Sequence, residues 1–283
     1  MLAKKTVTAA GAALAALALM SLTGCASEPT PGASGPAASP ASSASVPAAP
    51  AVDYKLVTPG TLTACADVPF PPFEVEDKSS PSGYSGFDVD MMAAIATKLG
   101  LQFKLIDVDF DALQSGTVLV ANQCDLGASA ITITDARRAN IDFADPYYDS
   151  LQSLLVKADS GITDLAGLAG KNIGVQQGTT GKTYTQQNAP KDAKIIDYPS
   201  DGELWPAIQA GNIDAILQDL PVNKTHEKDN PAYKVVATYE TDEQYGFAFA
   251  KGAKPELLAA VNAQLAAMRA DGTYQQIYDK YFG

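Results

Sequence analysis

The segment Ala128–Arg138 combines a strand end, a helix start and an arginine. Apolar residues 126–131 predict a strand, and Thr134 suits a helix N-cap because its hydroxyl can accept an N–H group of the first turn. A helix start presents unpaired N–H groups and partial positive charge, and the planar guanidinium of Arg137 can bind a carboxylate through two hydrogen bonds. Together these features predict a small anion-binding site. The alternative is an ordinary capped helix with Arg137 in solvent.

A second candidate, Asp219, follows the apolar strand predicted over 213–218. In open sheets of this kind, ligands bind at the carboxyl ends of the strands. The stretch before Arg137 has a similar position, so the two residues are expected at comparable places in the fold. Asp219 could also simply form a turn before Pro221.

The turn Gly178–Gly181 opens another predicted helix, and its start at Thr179 and Thr180 suits an anion. Gly181 with the following Lys and Thr is similar to the end of a phosphate-binding P-loop. That pattern needs a glycine five residues before Gly181, where Gln176 stands, so nucleotide hydrolysis is not expected.

Strands and helices alternate through the folded part of the chain. The predicted strands cover 62–66, 103–108, 126–131, 151–157, 171–175, 195–198, 213–218 and 246–251. The predicted helices cover 88–99, part of 111–122, 164–167, the segment opened at 178–181, 201–211 and two segments within 255–282. This order predicts an α/β fold with mostly parallel sheets flanked by helices.

The first 24 residues have the features of a secretory signal: two lysines precede an apolar run over 9–20 that is too short to span a bilayer comfortably. Leu22–Cys25 resembles a lipobox, which would make Cys25 the lipidated first residue of the mature protein. The alternative is a plain signal peptide cleaved near Ala26. Residues 25–52, rich in Ala, Pro and Ser, cannot bury a core and predict a disordered tether, whether for reaching a membrane partner or as a simple spacer.

Charge and cysteine content narrow the classes of protein further. The 283 residues carry a formal net charge of −12, which argues against nucleic-acid binding as the main task. Cys65 and Cys124 flank strands expected to be neighbours, which favours a disulfide over two buried thiols.

The single histidine, His226, lies in a charged stretch and is expected to be a solvated helix residue. One histidine and two cysteines make no persuasive zinc site, and no metal or cofactor is expected.

A series of ordered motifs resembles the amino-acid-binding branch of the bacterial extracellular solute-binding proteins, which supply polar amino acids to ABC importers. The motifs are PFPPFE (69–74), GFDVDMMAAIATKLG (86–100), ITITDARR (131–138), FADPYY (143–148), KNIGVQQGTTG (171–181), GNIDAILQD (211–219) and DGTYQQIYDKYFG (271–283). The resemblance spans roughly 54–283 and implies a two-lobed fold of the type II periplasmic-binding-protein kind. Its implied first lobe covers 53–149 and 245–283, and its second covers 150–244, with two crossovers near Ser150 and Gln244.

The resemblance also implies a ligand site for a free amino acid. Arg137 would bind the carboxylate with help from the N–H groups of Thr132 and Thr180, and Thr179 would lie beside them. The ammonium would meet Asp219, the Ala130 carbonyl, where the family often has glycine, and the Thr132 hydroxyl. Each charged group needs such partners because burying it alone costs several kcal/mol.

Two aromatic residues and one carboxylate complete the implied site. Phe70 and Phe110 match the positions that sandwich the ligand's side chain, although core packing is the usual fate of Phe. Asp67 could meet a cationic side chain or only brace its loop, and the amino acid itself is left open.

The implied protein is a monomeric, lipid-anchored binding protein on the outer face of the cytoplasmic membrane, with a permease as its membrane partner. The rival hypothesis is an enzyme on the same fold, a dehydratase or a peptidoglycan lytic enzyme, for which Glu74 is the nearest candidate acid or base.

Overall fold

The computed structural model describes residues 52–283, which form two lobes built on two five-stranded sheets. The strands are β1 Thr61–Ala66, β2 Val75–Glu76, β3 Tyr84–Ser85, β4 Gln102–Asp107, β5 Leu126–Gly127, β6 Ile141–Phe143, β7 Tyr148–Lys157, β8 Asn172–Gln176, β9 Lys194–Tyr198, β10 Ala215–Asp219, β11 Tyr233–Tyr245 and β12 Ala248–Ala250. The helices are α1 Phe87–Lys98, α2 Phe110–Gln114, α3 Thr117–Val120, α4 Asp135–Arg138, α5 Thr180–Asn188, α6 Asp201–Gln209, α7 Leu220–Asp229, α8 Pro255–Ala270 and α9 Thr273–Phe282, with a 3-10 turn at Leu165–Leu168.

The first sheet has the strand order β4-β1-β5-β12-β6. β1 pairs in parallel with β4 and β5, whereas β12 runs antiparallel to β5 and β6. Four of the five strands therefore run in one direction, and β12 is the strand that returns from the second lobe. The second sheet, β11-β7-β10-β8-β9, repeats this arrangement with β7 as the reversed strand. The predicted mostly parallel α/β fold is confirmed.

Two long paired strands carry the chain between the lobes. β7 and β11 pair antiparallel from Tyr148↔Tyr245 to Tyr233↔Lys157, with irregularities after Val235 and Tyr239. β11 is absent from the predicted elements, because its polar stretch at 240–243 hides the alternation expected of a strand. The pairing of these strands places both crossovers side by side at the edge of the cleft.

The strand predicted over 126–131 is shorter than expected. β5 ends at Gly127, and Ala130 adopts φ 45°, in the left-handed region that a strand does not use. The chain turns there to line the cleft and then enters α4. Thr134 caps α4 as predicted: its Oγ1 accepts the N–H of Arg137 at 3.2 Å.

A disulfide joins Cys65 at the end of β1 to Cys124 just before β5, with Cα atoms 5.7 Å apart. Both cysteines are fully buried against the helices α2 and α3. The bridge therefore fastens β1 to the loop that leads into β5, its neighbour in the first sheet.

The predictions for the signal segment 1–24, the lipidated Cys25 and most of the tether 25–52 lie outside the described residues. Within residues 52–283, no helix has the length and apolar character needed to cross a membrane.

Candidate functional site

A cavity lies between the two lobes. Residues of both lobes line it: Asp67, Phe70, Phe110, Ser129, Ala130, Thr132, Arg137, Gln176, Thr179, Thr180, Gln218 and Asp219. All nine residues proposed from the sequence as ligand contacts are in this set. Three other residues line the cavity and are not among those nine: Ser129, Gln176 and Gln218.

Arg137 lies at one wall of the cavity, held by carbonyl groups of both lobes. Its Nη1 donates to the carbonyl oxygen of Thr132 at 2.7 Å and its Nη2 to that of Gly178 at 3.0 Å, while Nε donates to Gln114 at 3.3 Å. The guanidinium also lies over the ring of Phe110, 5.3 Å from its centre. Burial lowers the pKa of Arg137 to about 10, against the opposing charge of Asp219, so the group stays cationic at neutral pH.

Asp219, at the end of β10, lines the cavity from the second lobe and is 7% exposed. Its carboxylate accepts hydrogen bonds from Gln152 on β7 and from the hydroxyl of Tyr245 on β11. Burial, and to a smaller extent the nearby charge of Glu243, raise the pKa of Asp219 to about 7. The cleft thus holds a cationic and an anionic group on different lobes.

Glu243 is a buried acidic residue that the sequence did not identify. It lies on β11, and its carboxylate accepts the hydroxyl hydrogens of Thr132 at 2.9 Å and Thr180 at 2.8 Å and an amide hydrogen of Gln152 at 3.1 Å. Thr132 belongs to the first lobe and Thr180 to the second, so Glu243 links them at the crossover. Its position one residue before the predicted crossover at Gln244 was the only signal in the sequence.

A hydrogen bond to a buried carboxylate holds the strained turn at Ala130 in place. The N–H of Ala130 donates to the buried carboxylate of Asp88 at 2.9 Å, and the hydroxyl of Tyr147 donates to the same oxygen at 2.6 Å. This bond fixes Ala130 in its left-handed conformation, which a non-glycine residue adopts at a cost of about 1 kcal/mol or more. The carbonyl of Ala130 is therefore held in place at the cavity wall.

The start of α5 supplies the second-lobe wall. Thr179 is the N-cap: its hydroxyl accepts the N–H of Lys182 at 3.1 Å and donates to the carbonyl of Gln176 at 2.8 Å. Thr180 is the first residue of the helix, so its N–H is one of those without an intrahelical partner.

Asp67, Phe70 and Phe110 line the remaining walls, and each is at most 7% exposed. The carboxylate of Asp67 accepts a hydrogen bond from Gln176 of the second lobe. Burial, and to a smaller extent the negative charges of Asp107, Asp109 and Glu203, raise the pKa of Asp67 to about 7. This end of the cavity is strongly acidic.

Glu74, the candidate acid or base of the enzymatic hypothesis, does not line the cavity. It is fully buried behind Ser129, whose hydroxyl donates to it at 2.5 Å. Burial and the charge of Asp88 raise its pKa well above the usual range.

The expectation that His226 is solvated is wrong. His226 is 5% exposed, and its Nε2 lies 3.0 Å from the carboxylate of Asp201. Its ring stacks on that of Trp205 with centres 4.2 Å apart. The charged neighbours in its sequence occupy the other sides of α7, while His226 points inward between α6 and α7.

This fold and cleft define a solute-binding protein. The model of the bacterial extracellular solute-binding proteins, family 3, matches residues 62–283, and the chain belongs to that family. It is a binding protein of the kind that takes up amino acids outside the cytoplasm for ABC importers.

Known relatives match over most of their length. The histidine-binding periplasmic protein of Salmonella typhimurium is 32% identical over 231 residues, 76% of this chain and 85% of that protein. The L-arginine-binding protein of Pseudomonas aeruginosa is 33% identical over 224 residues, 75% of this chain and 84% of that protein. A solved structure of an ancestral arginine-binding protein bound to arginine is 36% identical, covers 79% of this chain and 99% of its own, and has a TM-score of 0.73. These relatives are binding proteins, not enzymes.

Proposed function

We propose that the cavity binds a cationic L-amino acid such as arginine, lysine or histidine, with the lobes closed around it. The observation that carries the proposal is that Arg137 of the first lobe and Asp219 of the second line one cavity, together with Asp67. A free amino acid presents a carboxylate and an ammonium on one carbon, and both need charge-assisted hydrogen bonds when they leave water.

Arg137 retains hydrogen-bonding capacity for the carboxylate. A guanidinium has five N–H groups, and three of them are engaged by Thr132, Gly178 and Gln114, so one N–H on each Nη nitrogen is left. The free N–H groups at the start of α5 supply further donors at Thr180.

Asp219 has room for the ammonium. Each of its oxygens accepts one hydrogen bond, from Gln152 or from Tyr245, and an ionised carboxylate can accept about four. The carbonyl of Ala130 and the hydroxyl oxygen of Thr132 are additional acceptors on the first-lobe side.

The choice of a cationic side chain rests on the balance of charge. The carboxylates of Asp67 and Asp219 line the cavity against the one guanidinium of Arg137, and the charge of Glu243 lies close to Asp219 behind it. A ligand with a positive side chain reduces this imbalance, whereas an acidic one increases it. The names of the histidine- and arginine-binding relatives support the same choice.

The remaining parts of the proposal concern the whole protein. We propose lobes at 53–149 with 245–283 and at 150–244, closing by a hinge at β7 and β11. A monomer anchored through lipidated Cys25 and tethered by the residues up to 52 would present the closed form to a membrane permease.

Isothermal titration of the purified full chain with L-arginine, L-lysine, L-histidine, L-leucine and L-glutamate tests the proposal. The cationic ligands should bind most tightly, and Asp67→Asn should reduce that preference, while Asp159→Asn on an exposed second-lobe loop should not. Tight binding of glutamate or leucine in preference to all three cations would reject the cationic class. Binding of no amino acid would reject the function.

A further inference from the structure

Gln218 is a buried residue of the cavity wall whose two amide ends have different surroundings. It lies on β10 next to Asp219 and is 4% exposed. Its Nε2 donates to Asp201 at 2.9 Å and to Asn223 at 3.1 Å. Its Oε1 is buried and has no hydrogen-bond partner among residues 52–283. An acceptor left in this state is destabilising, so a donor that reaches it gains free energy on binding.

The orientation of the Gln218 amide follows from its neighbours. Asn223 uses its own Nδ2 on the hydroxyl and carbonyl of Ser153, at 2.9 and 3.3 Å, so it presents its oxygen to Gln218. Asp201, as a carboxylate, offers only acceptors, and it is also held by Nε2 of His226 at 3.0 Å. A flipped amide would set the Gln218 oxygen against two other oxygens. Its NH2 group must therefore face Asp201 and Asn223, and Oε1 is the end of the amide left without a protein partner, in a residue that lines the cavity.

Asp201, which holds Gln218 in place, also connects it with the acidic end of the cavity. Asp201 begins α6 two residues after Pro199, whose carbonyl accepts a hydrogen bond from Gln176 at 3.1 Å. Gln176 in turn donates to Asp67. The short loop 199–201 thus touches both glutamines of the second-lobe wall, on the side where Asp67 lies.

We propose that Gln218 Oε1 accepts an N–H group of the ligand's side chain and is a specificity-determining residue, with Asp201 and Asn223 as positioning residues. This inference rests on the proposed function and narrows it. Asp67 and Gln218 form two acceptors, so a side chain ending in several N–H groups, above all a guanidinium, satisfies both. A hydrocarbon side chain leaves Gln218 Oε1 without a donor and the charge of Asp67 without a cation, so the site rejects it.

Titration of the full chain and its Gln218→Met variant with L-arginine and L-norleucine tests this. Methionine keeps the length of the side chain but removes the acceptor. The preference for arginine over norleucine should fall about tenfold or more in Gln218→Met. Gln209→Met, the same change on the exposed end of α6, should keep the preference of the unchanged protein. An unchanged preference in Gln218→Met would overturn the inference and leave the proposed function standing, whereas failure of the unchanged protein to bind any amino acid would reject both.

A crystal structure of the unchanged protein with L-arginine gives a test that does not depend on the folding of a variant. It should place Gln218 Oε1 within about 3.2 Å of a guanidinium nitrogen. A guanidinium bound by Asp67 with Gln218 Oε1 turned to water or to another protein group would overturn the inference.

Discussion

The guanidinium of Arg137 reaches across the cleft and donates a hydrogen bond to the carbonyl oxygen of Gly178 at 3.0 Å. Arg137 follows the capped start of α4 in the first lobe, and Gly178 lies in the turn before α5 in the second. The same guanidinium is proposed to bind the ligand's carboxylate. Closure of the lobes and recognition of the ligand therefore share one side chain.

Arg137→Ala should weaken amino-acid binding by about 100-fold or more, because it removes the partner of a buried carboxylate and an interlobe hydrogen bond together. Arg138→Ala is the matched control: Arg138 is exposed and lies over Phe143 instead of the cavity. Titration calorimetry should find the control within about threefold of the unchanged protein, since surface substitutions cost little. Full affinity in Arg137→Ala would disprove its role.

Ligand affinity should fall as the pH drops below about 7. Burial raises the pKa of Asp219 to about 7 in the empty cleft, and a bound ammonium lowers it, so binding below pH 7 must release a proton. Calorimetry at pH 5 to 8, in buffers of different ionisation enthalpy, measures both the affinity and the released protons.

Asp219→Asn is the control for this pH dependence. It should bind more weakly at pH 8 and should release fewer protons at pH 6 than the unchanged protein, with any remainder assigned to Asp67. Equal proton release from both proteins would show that Asp219 does not titrate with binding.

The empty protein should have the opposite pH dependence in its stability. Burial raises the pKa of Asp67, Asp88 and Asp219 from 3.8 to about 7, so folding favours their protonated forms. Their contribution to stability is complete below about pH 3.8 and is lost as the pH rises through about 7. Calorimetric melting of the ligand-free protein should give a higher Tm at pH 5 than at pH 8. A Tm that rises from pH 5 to pH 8 would contradict these pKa values.

Gly178→Ala should weaken ligand binding by opposing closure. A Cβ atom at Gly178 would lie 2.6 Å from Oδ1 of Asp111, a first-lobe residue. Gly161 is a matched control, because it has a similar φ of 73° but no atom within 4 Å of an added Cβ. Both variants should lose about 1 kcal/mol of stability from the strained φ, whereas only Gly178→Ala should lose affinity by calorimetry. Equal affinities would show that the lobes do not press together at this point.

Removal of the disulfide should destabilise the first lobe. Cys65 and Cys124 are separated by 59 residues, and loss of a cross-link over such a loop costs about 4 kcal/mol in the chain-entropy description. Guanidinium unfolding of the Cys65→Ala/Cys124→Ala variant measures this loss. Neither cysteine lines the cavity, so ligand affinity well below the Tm should be retained. A loss below about 1 kcal/mol would contradict the expected role of the bridge.

The sequence was most informative where local chemistry and position agree. Thr134 was predicted as an N-cap because a hydroxyl before a helix start can accept an N–H group of the first turn, and it caps α4. The nine ligand contacts implied by the family resemblance all line the cavity, and most of them lie near strand ends or helix starts. Their roles toward a ligand remain predictions.

Long-range placement was beyond the sequence. Glu243 lies among polar residues typical of a loop, and only the pairing of β11 with β7 carries it to the threonines of both lobes. His226 stands between charged neighbours, and its burial depends on Trp205 and Asp201 from a different helix. Gln218 was passed over because β10 reads as an ordinary apolar strand. In each case the deciding partner lies far away along the chain.

Glu243 has one more consequence. By accepting from Thr132 and Thr180 at once, it gives the unfilled molecule a way to shut on itself. An importer that recognised only the closed shape would then also accept the ligand-free protein. Recognition of the loaded protein must therefore depend on a feature that Glu243 does not supply.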